Sequence, residues 1–260
     1  MKKLKTDNYF KKRIVHLLFS EKLYNKIKLL KIMWDYKIRK PYEMSTLFTH
    51  ILSNDSIVLD IGANMGQYAC RLNKFVRNGY GHIYSFEPVT ENFIALKNMK
   101  NILKLTNVTI NQLGISNMIE DTEINIPMFN NGLIVGTQAT LLNIDEIKHR
   151  TESIKVTTID NYVSENLIRK IDFIKCDTEG NEINVLEGGK ETITKYLPIL
   201  SFEMSYNNMG LNWILDLGYE LFYHDMQINK LLKIDKYQSG NLIFLHNKHQ
   251  KSLNKIIEYA

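Results

Sequence analysis

The chain has 260 residues, of which 44% are hydrophobic and 23% charged, with a formal net charge of +5. That is ordinary globular usage; it excludes a disordered, collagenous or coiled-coil chain and allows a core that needs no disulfide or metal to fold. The two cysteines, Cys70 and Cys176, do not make a secreted disulfide framework, so the sequence points to a reducing, cytoplasmic setting.

The charge is uneven. Residues 1–40 hold 13 Lys and Arg against three acids, a net of +10, and the remaining 220 residues carry a net of −5. A mildly acidic body argues against a protein that grips nucleic acid along its surface. The basic head, residues 1–49, reads as two amphipathic helices. Phe10, Ile14, Leu17 and Leu18 share one face; Leu23, Ile27, Leu30 and Trp34 repeat the pattern, with a break at Pro41. Two readings fit it: a cap packed on the main domain with its lysines in solvent, or a surface that makes peripheral contact with anionic lipid or a lipid-linked substrate. Its longest apolar stretch, Ile14–Phe19, is broken by His16 and does not read as a signal peptide. No run approaches the roughly 18–20 apolar residues of a membrane span.

From residue 50 to 247 the pattern alternates strand and helix. Strands are expected at Ser56–Ile61, His82–Phe86 and Val108–Leu113, and helices at Gln67–Val76 and Glu91–Leu103. Residues 119–158 suggest two or three short strands forming a β insertion. A strand at Ile171–Cys176, a helix at Glu182–Tyr196, a strand at Ile199–Phe202 and a helix at Leu211–Leu217 follow, with Gly218 past the helix end. Glu220–Tyr223 and Leu242–Leu245 read as closing strands, and 248–260 as a helical tail. This is an α/β chain with a doubly wound, mostly parallel sheet.

The most informative stretch is Val58-Leu59-Asp60-Ile61-Gly62-Ala63-Asn64-Met65-Gly66-Gln67, a strand running through a glycine turn into a helix. Gly62 allows a backbone conformation that a Cβ would obstruct and a close approach by ligand. Asn64 tolerates left-handed geometry. Such turns lie where doubly wound sheets bind ligands. The dinucleotide fingerprint G-x-G-x-x-G fails here, because Asn64 replaces the glycine that lets a pyrophosphate close in. Asp60 beside the turn disfavours a phosphate and favours a cation. Glu87, 21 residues beyond Gly66, can accept ribose hydroxyls. The pattern fits S-adenosylmethionine, an adenosyl ligand with a sulfonium and no phosphate. The plain alternative is a βα turn with a capping acid.

The segments VLDIGANMGQY (58–68), YSFEP (84–88), VTTIDNYV (156–163), IDFIKCDTEGNEINVLEG (171–188) and PILSFEMS (198–205) resemble the FkbM-type S-adenosylmethionine-dependent methyltransferases. The resemblance covers about 150 residues, and the K-x-D-x-E-G segment is what narrows it to this family. It implies a class I methyltransferase fold with an antiparallel last strand, and O-methylation of hydroxyls on sugars, polysaccharide precursors or natural products. It implies that Asp60, Gly62, Ala63, Asn64 and Gly66 hold the amino-acid end of the cofactor, with Gln67 reaching its carboxylate. Glu87 and Pro88 would lie at the ribose, and Leu113 and Gly114 near the adenine.

Lys175, Asp177 and Glu179 follow the fourth strand, and alternation puts 175 and 177 on one face if the strand runs that far. An alcohol attacks a sulfonium-bound methyl well only as it loses its proton. Asp177 or Glu179 as general base is one route. The other is a Mg²⁺-like ion held by Asp177 and Glu203, which lies 26 residues later, with Glu179 or Asn207 as third ligand. Each residue also has a plain role. Lys175 can neutralise Asp177, Glu179 can complement a helix dipole, and Glu182 and Glu187 can be solvated. His224 can be a base or structural; His50, His82, His149, His246 and His249 form no ligand spacing. The competing functions are a dinucleotide oxidoreductase and a non-catalytic cofactor-binding module at a membrane.

Overall fold

The computed structural model describes residues 21–38, 44–128, 136–145, 147–205, 210–234 and 239–258. The first head helix, Pro41 and Asn207 lie outside the described residues. Helix α1 (Glu21–Lys37) and α2 (Ser45–Ile51) precede β1 (Ile57–Ile61), α3 (Gln67–Val76), β2 (His82–Phe86), α4 (Thr90–Leu103) and β3 (Val108–Asn111). Then come β4 (Gly114–Ile115), β5 (Glu120–Pro127) and β6 (His149–Thr157). The second half runs α5 (Ile159–Glu165), β7 (Phe173–Cys176), α6 (Glu182–Glu187), α7 (Lys190–Tyr196), β8 (Ile199–Ser205), α8 (Asn212–Asp216) and β9 (Tyr219–Asp225). It closes with β10 (Lys230–Lys233), β11 (Ser239–His246), α9 (Asn247–Leu253) and β12 (Ile257–Glu258).

Among the described residues the main sheet has nine strands, ordered β12-β10-β9-β11-β8-β7-β1-β2-β3. The run from β8 through β7 and β1 to β2 and β3 is parallel. β11 is inserted antiparallel between β8 and β9. The central strands are apolar on both faces because helices cover both. Val58, Phe173 and Ile243 face a layer made with Leu29, Ile32 and Met33 of α1, Leu47 and Phe48 of α2, and Leu72 of α3. Leu59, Ile174 and Phe202 face a second layer built with Ile159 of α5, Leu186 of α6, Ile193 of α7 and Ile214 of α8. Phe48 sits edge-on to Tyr68, Phe75 and Phe173, and so ties α2 to α3 and β7.

Four features differ from the sequence reading. The helix expected over Glu182–Tyr196 is two helices, because a Cβ on Gly188 would lie 2.0 Å from the Ser116 carbonyl oxygen and the chain is pressed against the β4 end there. Helix α5 was not expected; Thr158 caps it by accepting from the Asn161 amide, and Asp160 accepts from the Glu191 and Thr192 amides that open α7. The tail from 248 is helical only through Leu253, after which β12 pairs with β10 and extends the sheet edge. Helix α2 runs across position 49/50, so its Leu47 and Phe48 belong to the same core as the body.

The insertion after β3 is a separate three-stranded sheet, β4-β6-β5; β5 and β6 fall within the expected 119–158, and β4 (Gly114–Ile115) begins before it. It docks on the start of α4: the Thr90 amide donates to Glu152 at 2.9 Å, and Arg150 pairs with Glu91 at 2.6 Å. Its apolar side, Ile124, Ile126, Ile154 and Val156, packs on Val89. This sheet becomes one wall of the cleft described next.

Candidate active site

A cleft lies at the carboxyl ends of β1, β2 and β7. The glycine turn, Glu87 and the loop after β7 form one side; Ile124, Ala139, Leu141 and Ile154 of the insertion form the other.

The turn is held from within. Gly62 (φ +77°), Asn64 (φ 51°) and Gly66 (φ 89°) all take left-handed backbone, which glycine and asparagine tolerate best. The Gly62 and Ala63 amides both donate to the Phe86 carbonyl, at 3.0 and 2.9 Å. The Asn64 amide donates to Glu87 Oε2 at 2.8 Å, and the Met65 amide to Asn64 Oδ1 at 2.8 Å. Glu87 is 4% exposed; its Oε1 also accepts from the Val89 amide and the Asn92 side chain, each at 3.1 Å. A carboxylate has about four lone-pair directions, so roughly one is left for a ligand hydroxyl. Burial pushes the Glu87 carboxyl up to about 7, against the pull of those three hydrogen bonds.

What meets Gly62 is the protein's own backbone. A Cβ there would lie 1.9 Å from the Asp177 carbonyl oxygen. The glycine therefore serves the junction of β1 with the loop after β7, where the Asp177 amide donates to the Ile61 carbonyl at 3.0 Å. The close approach expected of a ligand at this position is made by Asp177.

β7 ends at Cys176, so strand alternation does not carry Lys175 and Asp177 to one face. Lys175 is 1% exposed; its ammonium donates to the Cys176 carbonyl at 3.0 Å and stands 5.0 Å from the Tyr68 ring centroid. It lies under the cleft, beside Asp60 in the β1–β7 register. Asp60 is also 1% exposed and accepts from Ser85 Oγ at 3.1 Å. Burial raises its carboxyl to about 7, while Ser85 and the Lys175 charge oppose the rise.

Asp177, Thr178, Glu179 and Asn181 line the cleft. Glu179 (φ 54°) and Gly180 (φ 114°) bend the loop sharply. Glu182 holds that bend: its carboxylate accepts from the Thr178 amide and hydroxyl and the Gly180 amide, at 3.1, 3.2 and 3.1 Å. The Thr140 hydroxyl donates to the Glu179 carbonyl from the insertion side at 2.9 Å. Asn181 donates to the Ile115 carbonyl at 3.0 Å. The expectation of a solvated Glu182 is corrected, since it is 5% exposed. The signal is present in T-E-G-N-E, where an acid two residues past a left-handed glycine-containing bend can fold back on the bend's amides.

Of the residues singled out from sequence, Gly62, Asn64, Glu87, Pro88, Leu113, Gly114, Asp177 and Glu179 line this cleft. Asp60, Ala63, Gly66, Gln67, Lys175 and Glu203 do not. Ala63 is in the core; Gly66 makes room for Leu96 and Met99 of α4; the Gln67 carbonyl accepts from Arg71 at 2.6 Å. Glu203 sits inside β8 opposite Asn241, on the face away from Phe202. Among the described residues no group of three or more His, Cys, Asp and Glu side chains forms a metal-holding cluster. The donor set for Mg²⁺ at Asp177 and Glu203 therefore lacks a third acid among the described residues. His224 is 5% exposed and pairs through Nε2 with Asn229 at 3.0 Å, away from the cleft lining.

A parallel sheet with an antiparallel strand between its last two parallel members, a glycine turn after β1 and an acid closing β2 define a class I methyltransferase fold. The family model "Methyltransferase FkbM domain" matches residues 60–236, and the chain belongs to this family of S-adenosylmethionine-dependent methyltransferases. A methyltransferase FkbM structure from Methylobacillus flagellatus KT is similar at 18% identity and TM-score 0.49; the match covers 74% of this chain but only 44% of that one. An S-adenosylmethionine-dependent O-methyltransferase from Thermotoga maritima matches at 13% identity and TM-score 0.39, over 78% of this chain and 64% of that one. Fibrillarin from Aeropyrum pernix, solved with natively bound S-adenosylmethionine, matches at 8% identity and TM-score 0.41, over 77% and 71%. No curated protein matches the sequence.

Proposed function

We propose that this chain transfers a methyl group from S-adenosylmethionine to a hydroxyl oxygen of a sugar, a glycan or a small natural product. The observation that carries the reading is the charge of the cleft. Glu87, Asp177 and Glu179 line it, and no Lys or Arg is among its described lining residues. The turn amides that a pyrophosphate would need are already committed, to the Phe86 carbonyl, to Glu87 and to Asn64. Such a site disfavours a dinucleotide and favours a ligand bearing a positive charge.

The residues fit the cofactor. Glu87 keeps one acceptor direction for a ribose hydroxyl, and Leu113, Gly114, Ile124 and Ile154 give an apolar slot for a purine ring. When bound, the cofactor supplies an electrophilic methyl carbon on a positively charged sulfur. Asp177 would accept the acceptor hydroxyl's proton as the methyl group is transferred. Glu179 orients the acceptor from the same loop. The fixed loop matters because positioning supplies much of the rate of such a displacement. The acceptor is read as a small molecule or glycan and not a nucleic acid, because the body outside the basic head carries a net of −5.

A thermal-shift comparison tests the reading. S-adenosylhomocysteine at about 100 times its dissociation constant should stabilise the protein by ~2.7 kcal/mol, and NAD should leave it unmoved. Turnover with the acceptor should survive EDTA, since Asp177 works here without a metal. Stabilisation by NAD alone would replace the methyltransferase reading with an oxidoreductase one.

A further inference from the structure

Helix α1 has two apolar faces, and the fold uses one. Leu29, Ile32 and Met33 are buried against the body, with Tyr36 partly buried beside them. On the opposite side Ile27, Leu30, Trp34 and Ile38 recur at intervals of three, four and four, and they are 43%, 55%, 64% and 52% exposed. At 100° per residue these four fall within an arc of about 80°, centred opposite the buried face. Lys26 and Lys37 flank the stripe on one side and Lys31 on the other; all three are exposed. The stripe is continuous with a head that carries a net of +10 over residues 1–40. Among the described residues no helix is long and apolar enough to cross a membrane.

We infer that this outer face of α1 docks the protein on an anionic lipid surface. A helix lying in the interface presents apolar side chains to the acyl boundary and lysines to the head groups beside them, with tryptophan favoured at that depth. Trp34 sits mid-stripe with the lysines at its margins, which is that arrangement. A second copy of the chain is a poorer occupant. The stripe is about 16 Å long and one helix wide, on the order of 160 Å², against the ~800 Å² per partner that stable association needs. The flanking lysines would also face one another across a twofold axis. The inference is independent of the reaction assigned to the cleft.

The test uses the full chain carrying Trp213→Phe, which leaves Trp34 as the sole tryptophan. Its probes are vesicles of phosphatidylcholine with and without phosphatidylglycerol. Trp34 emission should shift to the blue and the protein should sediment with the anionic vesicles, and raised salt should reverse both. Neutral vesicles should bind at least about tenfold more weakly. Leu30→Gln/Trp34→Gln, read by sedimentation, and Lys26→Gln/Lys31→Gln/Lys37→Gln should each weaken binding by about tenfold or more. These positions are exposed, so melting temperature and S-adenosylhomocysteine binding should stay at the parent values and separate this result from any failure of the cofactor site. The inference is overturned by absence of binding to anionic vesicles, by binding indifferent to both sets of variants, or by concentration-dependent dimerisation that the stripe variants abolish in the absence of lipid.

Discussion

Asp177→Asn should lower kcat by about 10²–10⁴-fold while S-adenosylhomocysteine binding stays within a factor of about three. The change is nearly isosteric and removes the basicity together with the negative charge. The features that place residue 177 are backbone features: its amide bonds to Ile61, and its loop is tied by Glu182 and Thr140. None of these depends on the carboxylate. The loss therefore belongs to the chemical step, where an acceptor hydroxyl must shed its proton. Single-turnover kinetics with the true acceptor, run beside a binding titration, separates the two quantities. Turnover within about twofold of the parent would remove Asp177 from the reaction and move the base to Glu179 or to solvent.

The second large effect is structural. Gly62→Ala should destabilise the protein by about 2–5 kcal/mol, combining ~1–2 kcal/mol for left-handed backbone with ~1–3 kcal/mol for forced displacement of a packed neighbour. The neighbour here is the Asp177 carbonyl oxygen at 1.9 Å, which is backbone and has no rotamer to change. Relief requires β1 and the loop after β7 to separate, so activity should fall with stability. Urea unfolding measures the first and the acceptor assay the second. A change below about 1 kcal/mol would mean that the β1–β7 junction is far more pliant than its hydrogen bonding suggests. Gly240→Ala is the control for the contact, with a φ of +123° that also strains alanine and no atom within 4 Å of the added carbon.

Much of the parallel half of the fold was legible because its strands are short apolar runs that end in glycine or acid. His82–Phe86 and Gln67–Val76 match the expected bounds residue for residue. The alternation of strand and helix, with Glu87 closing β2, points to a cleft at the carboxyl ends of β1 and β2. What escaped the sequence depended on contacts between distant segments. Gly188 breaks a helix because of Ser116, more than seventy residues earlier. Asp160 supports α7 from another helix, and β10 and β12 are strands only because they pair with β9 and with each other. In the site, Asp177 and Glu179, singled out by the D-T-E-G run, line the cleft, and Asp60 and Lys175 do not. Alternation along β1 and β7 turns both beneath the sheet's end, into the layer that holds Tyr68. Glu182 was missed because a helix-opening glutamate reads as a surface residue until its partners are seen.

Burial pushes two carboxyls up to about 7, Glu87 in the cleft lining and Asp60 beneath it. Raised in this way, both carboxyls hold protons more readily than exposed acids do. A cation arriving next door favours the ionised forms, so cofactor capture should expel hydrogen ions into the medium. The heat of loading, followed by calorimetry, should then track the ionisation enthalpy of the buffer. Mild acidification should loosen the methyl donor more than the by-product, which lacks the sulfonium charge, and so help an exhausted cofactor to be exchanged for a fresh one.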